Sequence, residues 1–252
     1  MMPDWSRHFD RVYCVHYLPQ VRKWARLVSE LQRVGLWGNP LLSMRYTSDE
    51  TRRFDECIRT HAKVRANNAG CVNLGLEALS ILAEARAFKY RRILVLENDV
   101  AFLKDLAEIE ATFAAIPDDA DVVQMDNFVV PGGQDAYRRM KAERRAGERF
   151  FDAGGAVFYS GACFALSANG VLGMLDEMKE HLEPPDAFFA PLGAKGFRRV
   201  VADRSVALQL VYKDSITVDM WGVNSHHDGY IRSDVDYSLY NVPDGYGYGK
   251  AM

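Results

Sequence analysis

Glu97 and Asp99 flank Asn98 at the end of a run of branched aliphatics, Ile93-Leu94-Val95-Leu96. Side chains two positions apart on an extended segment lie on one face, so the two carboxylates can share a divalent cation. Hard oxygen ligands suit Mn2+ or Mg2+, and such an ion keeps positions open for water and a diphosphate. The pattern points to a nucleotide-sugar site with Glu97 and Asp99 as metal ligands. A second acid and amide, Asp126-Asn127, follow the run Val122-Val123-Gln124-Met125 and are candidates for contact with an acceptor sugar, with a turn-forming Asp-Asn pair as the alternative. His226-His227 offers an imidazole, His226, as a further metal ligand, among tyrosines that could stack on a sugar; a loosely packed tail is the alternative. Asp186 follows Pro184-Pro185, where a helix cap and a chemical role both stay open.

These residues need a scaffold. A short run that is apolar at every position reads as a strand buried on both faces, typical of mostly parallel sheets covered by helices. In such sheets the ligand crevice lies beyond the carboxyl ends of the strands, which places Glu97 and Asp99 at an open mouth where acids contribute little to packing. Arg11 to Val15 reads as a first strand, stopped by His16-Tyr17-Leu18-Pro19. A helix over about 20–34 follows, with Val21, Trp24, Leu27, Val28 and Leu31 on its buried face and Arg22, Lys23 and Arg26 off it. The intervening loop is expected at the same sheet edge, so Tyr17, Leu18 and Arg22 are candidate donor contacts, a solvated arginine being the alternative for Arg22.

Strands are expected over 41–46, 121–126, 159–166 and 197–210, and helices over 71–85 and 105–116, with Ser167 capping another helix. Gly161, inside its strand, permits close approach of another backbone or a ligand. The alternation of strands and helices indicates an α/β fold. One domain is expected over 1–225, with 226–252 as a Tyr/Gly/Asp-rich extension that builds little core.

The chain has 252 residues and a formal net charge of -3, from 31 basic and 34 acidic residues. That balance argues against a nucleic-acid binder, whose footprint is basic. No apolar run reaches the length of a spanning helix and the first residues lack a signal-peptide core, so a cytoplasmic protein is expected. Arg138 to Arg149 is the one locally basic segment. It reads as a solvated helix, with a surface for an anionic acceptor or for peripheral contact at the inner face of a membrane as the alternative. The four scattered cysteines suggest buried thiols, not a zinc site or disulfide framework.

Leu94 to Val100 resembles the acidic strand end of glycosyltransferase family 25, the lipooligosaccharide and collagen galactosyltransferase group. Val12 to Leu18, Gly70-Cys71, Gly161 to Ser167, Pro185-Asp186 and Ala207-Leu208-Gln209 resemble further points of that family in order. The family shows three successive acids where this chain has Glu97-Asn98-Asp99, which keeps both outer carboxylates. The resemblance spans roughly residues 11 to 215. It implies a Rossmann-like, A-type glycosyltransferase fold with a mixed central sheet flanked by helices. It also implies a nucleotide-sugar donor, commonly galactose on uridine diphosphate, a saccharide or glycoconjugate acceptor, and inversion at the anomeric carbon.

Such a transfer needs a cation for the departing diphosphate, a base for the acceptor hydroxyl and a dry cleft. Asp99 is the first choice for direct ligation. Glu97 is expected to bind through water or to orient the donor, and Asn98 to hydrogen-bond the nucleotide. By the resemblance Asp186 is the base, with Asp126 in reserve. The rivals are a nucleotidyltransferase, which would show a Gly-rich phosphate loop after the first strand where this chain has His16-Tyr17-Leu18-Pro19, and a sugar- or nucleotide-binding module without transfer.

Overall fold

A computed structural model describes residues 2–18, 20–47, 69–126, 128–129, 134–144, 146–180, 182–210 and 237–242. In chain order the helices are α1 (Trp5–His8), α2 (Val21–Arg33), α3 (Ala69–Ala87), α4 (Leu106–Ala114), α5 (Gln134–Glu143), α6 (Ala168–Glu180) and α7 (Phe189–Ala194). The strands are β1 (Arg11–Tyr17), β2 (Leu42–Thr47), β3 (Arg92–Glu97), β4 (Val100–Phe102), β5 (Val122–Gln124), β6 (Phe128–Val129), β7 (Phe150–Asp152), β8 (Phe158–Tyr159), β9 (Cys163–Ser167), β10 (Arg199–Ala202) and β11 (Ala207–Gln209).

Seven strands form one mixed sheet in the order β2-β1-β3-β9-β5-β10-β7. β1 runs parallel to β2 and β3, and β5 parallel to β10, whereas β9 is antiparallel to both β3 and β5. The sheet is buried on both faces, as the uninterrupted apolar runs require. Val12, Cys14, Leu94, Leu96, Cys163 and Ala165 face one core, built with Leu27 and Leu31 of α2 and Ile109 and Phe113 of α4. Their alternates Tyr13, Val15, Ile93, Val95, Phe164 and Leu166 face a second core, built with α3, α6 and α7. The expected α/β architecture is therefore present, with a mixed central sheet flanked by helices.

Local signals in the sequence set the helix ends. Asp105 accepts from the amides of Ala107 and Glu108 and caps α4, and Ser167 Oγ accepts from Gly170 N at 3.0 Å to cap α6. The single strand expected over 197–210 is two. The chain turns through Asp203-Arg204-Ser205, so β10 stays in the main sheet while β11 pairs antiparallel with β4, Gln209 opposite Val100.

Residues 237–242 differ from the expected loose extension. Tyr240 is buried in the first core, bridges Leu103 and donates its hydroxyl to Ser205 O at 2.6 Å. Asn241 N donates to Phe102 O at 3.1 Å, and its side-chain amide donates to the buried Glu30, which also accepts from Phe102 N at 2.8 Å. The basic segment is partly neutralised within the protein: Lys141 and Arg144 lie 3.6 and 3.2 Å from Asp203, and Arg149 pairs with Glu108. Among the described residues no helix is long and apolar enough to cross a membrane.

Because Tyr240 fills core space, Tyr240→Ala is expected to lower the unfolding free energy by about 3–5 kcal/mol. Tyr240→Phe, which loses only the bond to Ser205, is expected to cost about 1 kcal/mol. Urea unfolding of the full chain measures both, and an alanine variant as stable as wild type would show that residues 237–242 are not part of the core.

Candidate active site

The strand directions gather the chemistry at one edge. β1, β2, β3, β5 and β10 all end there, and β9, running the other way, begins there. Leu96 lies opposite Cys163, and Glu97 N donates to Ala162 O at 3.0 Å, so Gly161 arrives beside the Glu97 side chain. A Cβ on Gly161 would stand 2.6 Å from Glu97 Oε1 and 3.9 Å from Asp186 Cβ. The missing side chain is what lets these two acids face each other across the strand.

Glu97 and Asp99 do not share an extended segment, because β3 ends at Glu97 and Asn98-Asp99 form the turn into β4; they are joined instead by Gln209, whose Nε2 lies 3.5 Å from Glu97 Oε2 and 3.5 Å from Asp99 Oδ2. Asp99 corrects the expectation of an open mouth. It is buried, and its Oδ2 lies 3.7 Å from Nζ of Lys23, which is itself 1% exposed. Its backbone carbonyl accepts from Leu210 N at 2.8 Å. Asp99 Oδ1 is buried and has no hydrogen-bond partner among the described residues.

Asp186 lies in the 3-10 turn Pro185–Phe188, whose N-cap is Pro184; its carboxylate faces the backbone amides of that turn, and its Oδ2 accepts from Ser160 N at 3.2 Å. Asp126 is fully buried, and its Oδ2 accepts from Ser160 Oγ at 2.9 Å and from Gln209 N at 2.8 Å. In this geometry Asp126 anchors the start of β9 and the end of β11. Ser160, which joins Asp126 to Asp186, has φ 120°, a backbone state rare for a non-glycine residue. Strain of this kind clusters at functional sites.

Desolvation raises the Glu97 carboxyl well above its ordinary value, and the charges of Asp99 and Asp186 add to the effect. Burial also raises Asp186, against the pull of the Ser160 amide and of the backbone amides in its own turn. The Glu97 shift reflects burial first and neighbouring negative charge second, which positive charge at the site would offset. A divalent cation would supply that charge, and the donor set of Glu97 and Asp99, with the unpartnered Asp99 Oδ1, fits such an ion. Among the described residues no group of three or more His, Cys, Asp or Glu side chains is arranged to hold a metal.

The other candidates fall as follows. Asn98 is buried, and its Nδ2 donates to His16 Nδ1 at 3.1 Å and to Gln20 Oε1 at 3.0 Å. Burial lowers the His16 pKa, which keeps the ring neutral and able to accept. The amide thus ties the acidic loop to the exit of β1. Tyr17 ends β1 half-buried, Leu18 is exposed beyond it with its amide on Thr47 O, and Arg22 stands in the first turn of α2. Asn127 and His226 lie outside the described residues.

Sequence reasoning missed Ser160, Gln209 and Lys23. Helix periodicity places Lys23 off the buried face and Val21 on it, yet Val21 is 73% exposed and Lys23 is buried. The first turn of α2 overhangs the sheet edge, so inward there means toward the acids and not toward the core.

No protein-family model matches the sequence, and no curated protein matches it. Solved structures do match. The chain is similar to mouse xyloside xylosyltransferase 1 in its apo form, at 11% identity and a TM-score of 0.39, over 76% of this chain and 84% of that one. It is similar to the mannosyltransferase PcManGT of Pyrobaculum calidifontis, solved with GDP-Man and Mn2+, at 10% identity and a TM-score of 0.46, over 85% of this chain and 61% of that one. It is also similar to a mannose-1-phosphate geranyltransferase from Thermus thermophilus, at 13% identity and a TM-score of 0.41, over 79% and 74% of the two chains.

Proposed function

We propose that the protein is a divalent-cation-dependent, inverting glycosyltransferase of the A type. It moves a hexose from a nucleotide-sugar donor, UDP-galactose being favoured, to a hydroxyl of a saccharide or glycoconjugate. The observation that carries this reading is the position of Glu97 at the carboxyl end of β3, with Asp186 across Gly161 on one side and Asp99 joined to it through Gln209 on the other.

A cation held by Glu97 and Asp99 would neutralise the departing diphosphate. The protein's own groups do the rest. Asp186, whose Oδ2 accepts from Ser160 N and whose carboxyl is raised by burial, would accept a proton from the attacking hydroxyl. The oxygen bonds to the anomeric carbon as the bond to the diphosphate breaks, and one displacement inverts that carbon. Gly161 leaves room for a sugar against the strand backbone, and the Asn98–His16–Gln20 contacts hold the acidic loop against the β1 exit where the donor is proposed to sit, near Tyr17 and Leu18.

Release of free sugar or transfer from a panel of UDP- and GDP-sugars, with and without Mn2+, tests the reading. Glu97→Gln removes charge from a crowded site without changing shape. It is expected to cut turnover by about 100-fold or more while raising the melting temperature of the metal-free protein at neutral pH, by about 2–4 °C for each kcal/mol of repulsion relieved. Turnover indifferent to both Mn2+ and Glu97 would sink the proposal, and pyrophosphate release from a nucleoside triphosphate and a sugar phosphate would make the protein a nucleotidyltransferase.

Gly161→Ala pushes on the mobile end of Glu97, 2.6 Å from the new Cβ, and not on backbone. The fold is expected to survive, with turnover down about 10- to 100-fold through misplacement of the carboxylate. An alanine variant with full turnover would show that the position of Glu97 does not matter.

The raised carboxyls also set a pH dependence. A group whose pKa is higher folded than unfolded contributes stability at low pH and loses it as pH rises through the folded value. For Glu97 the loss begins above the ordinary 4.5, and for Asp186 above 3.8. The metal-free protein should therefore melt lower at about pH 8 than at about pH 5, and Mn2+, which competes with protons for carboxylates, should stabilise more at the higher pH. Thermal melts across that range, with and without Mn2+, check the sign.

A further inference from the structure

Lys23 is a buried ammonium at the edge of the candidate site. It lies in the first turn of α2, the positive end of the helix dipole, and is buried against Asp99 with Nζ 3.7 Å from Oδ2. Buried ion pairs are often replaceable by apolar side chains of similar volume without loss of stability. The Lys23–Asp99 pair leaves Asp99 Oδ1, on the other side of the same carboxylate, buried and unpartnered among the described residues. Gln209 Nε2 spans Asp99 Oδ2 and Glu97 Oε2, so the pair and Glu97 form one cluster.

We propose that Lys23 is a built-in counter-cation of Asp99 that makes divalent-cation binding depend on the nucleoside diphosphate. The inference rests on the metal-dependent reading above and adds a positioning residue to it. A divalent ion reaching Asp99 through Oδ1 shares that carboxylate with an ammonium, and the two positive charges repel in a site shielded from water. The free protein therefore holds the ion weakly. A diphosphate brings oxygens that both cations can face, and repulsion between them gives way to shared attraction. Each ligand then raises the affinity of the other by one common factor. With Lys23 beside Asp99, the site would bind a divalent cation weakly in the absence of a nucleoside diphosphate and more tightly in its presence.

The test uses the full chain and two binding measurements: Mn2+ affinity of the nucleotide-free protein by electron paramagnetic resonance, and UDP or GDP affinity by equilibrium dialysis with and without Mn2+. In wild type, Mn2+ is expected to raise nucleotide affinity by about ten-fold or more, within the usual range of such couplings. In Lys23→Met, Mn2+ alone should bind about ten-fold tighter and the coupling should fall to about three-fold or less, while Lys23→Arg keeps it. Should the methionine variant not fold by circular dichroism, Lys23→Gln keeps a donor for Asp99 Oδ2 without the charge and carries the same expectation. A neutral variant that folds and retains wild-type Mn2+ affinity and coupling overturns the role of Lys23. A wild-type protein that binds nucleotide with no help from Mn2+ overturns the metal-dependent reading itself, so the two failures are distinct.

Discussion

Burial of carboxylates at one edge of the sheet is the constraint around which the site is arranged. Glu97, Asp99, Asp126 and Asp186 all lie there, and loss of water raises the Glu97 and Asp186 carboxyls. The unusual local choices answer this problem. Ser160 adopts a backbone state that few serines adopt, and in it offers its amide to one acid and its hydroxyl to another. Gly161 gives Glu97 space that any side chain would take. Two apolar cores, one on each face of the sheet, hold the strand ends still enough for such a cluster to persist.

The direction of β9 matters as much as its composition. Set antiparallel between β3 and β5, it brings its first residues to the edge where those two strands finish. A parallel strand in the same slot would carry Ser160 and Gly161 to the far side of the sheet, and Asp126 and Asp186 would lose the residue that joins them. The split between β10 and β11 has a similar result. By leaving the main sheet to pair with β4, β11 delivers Gln209 to three of the four acids, through its amide to Asp126 and its side chain to Glu97 and Asp99.

The scaffold was legible in the sequence wherever apolar periodicity or a cap specified it. Ile93 to Leu96 announced a doubly buried strand with acids at its tip, Ser167 announced a helix, and Gly161 announced a close approach. What stayed hidden depended on tertiary placement. Lys23 follows a helical pattern that puts it in solvent, and only the overhang of α2 past the sheet turns it inward. The left-handed backbone at Ser160 has no compositional signature, unlike a glycine in the same state. Tyr240 sits in a stretch whose polar and glycine-rich neighbours suggest nothing buried. Asp99 looked like an acid at an open strand end because nothing near it in the chain reveals the lysine 76 positions earlier.

The docking of residues 237–242 bears on how the site is held. The Asn241 side chain reaches Glu30 across 211 residues of sequence, and the Lys104 ammonium reaches Ser238 O across 134. These contacts close onto Phe102, Leu103 and Lys104, just past the acidic loop. A substitution in this distant stretch therefore acts on the strand that follows Asp99, so changes far along the chain can loosen the acids without touching them.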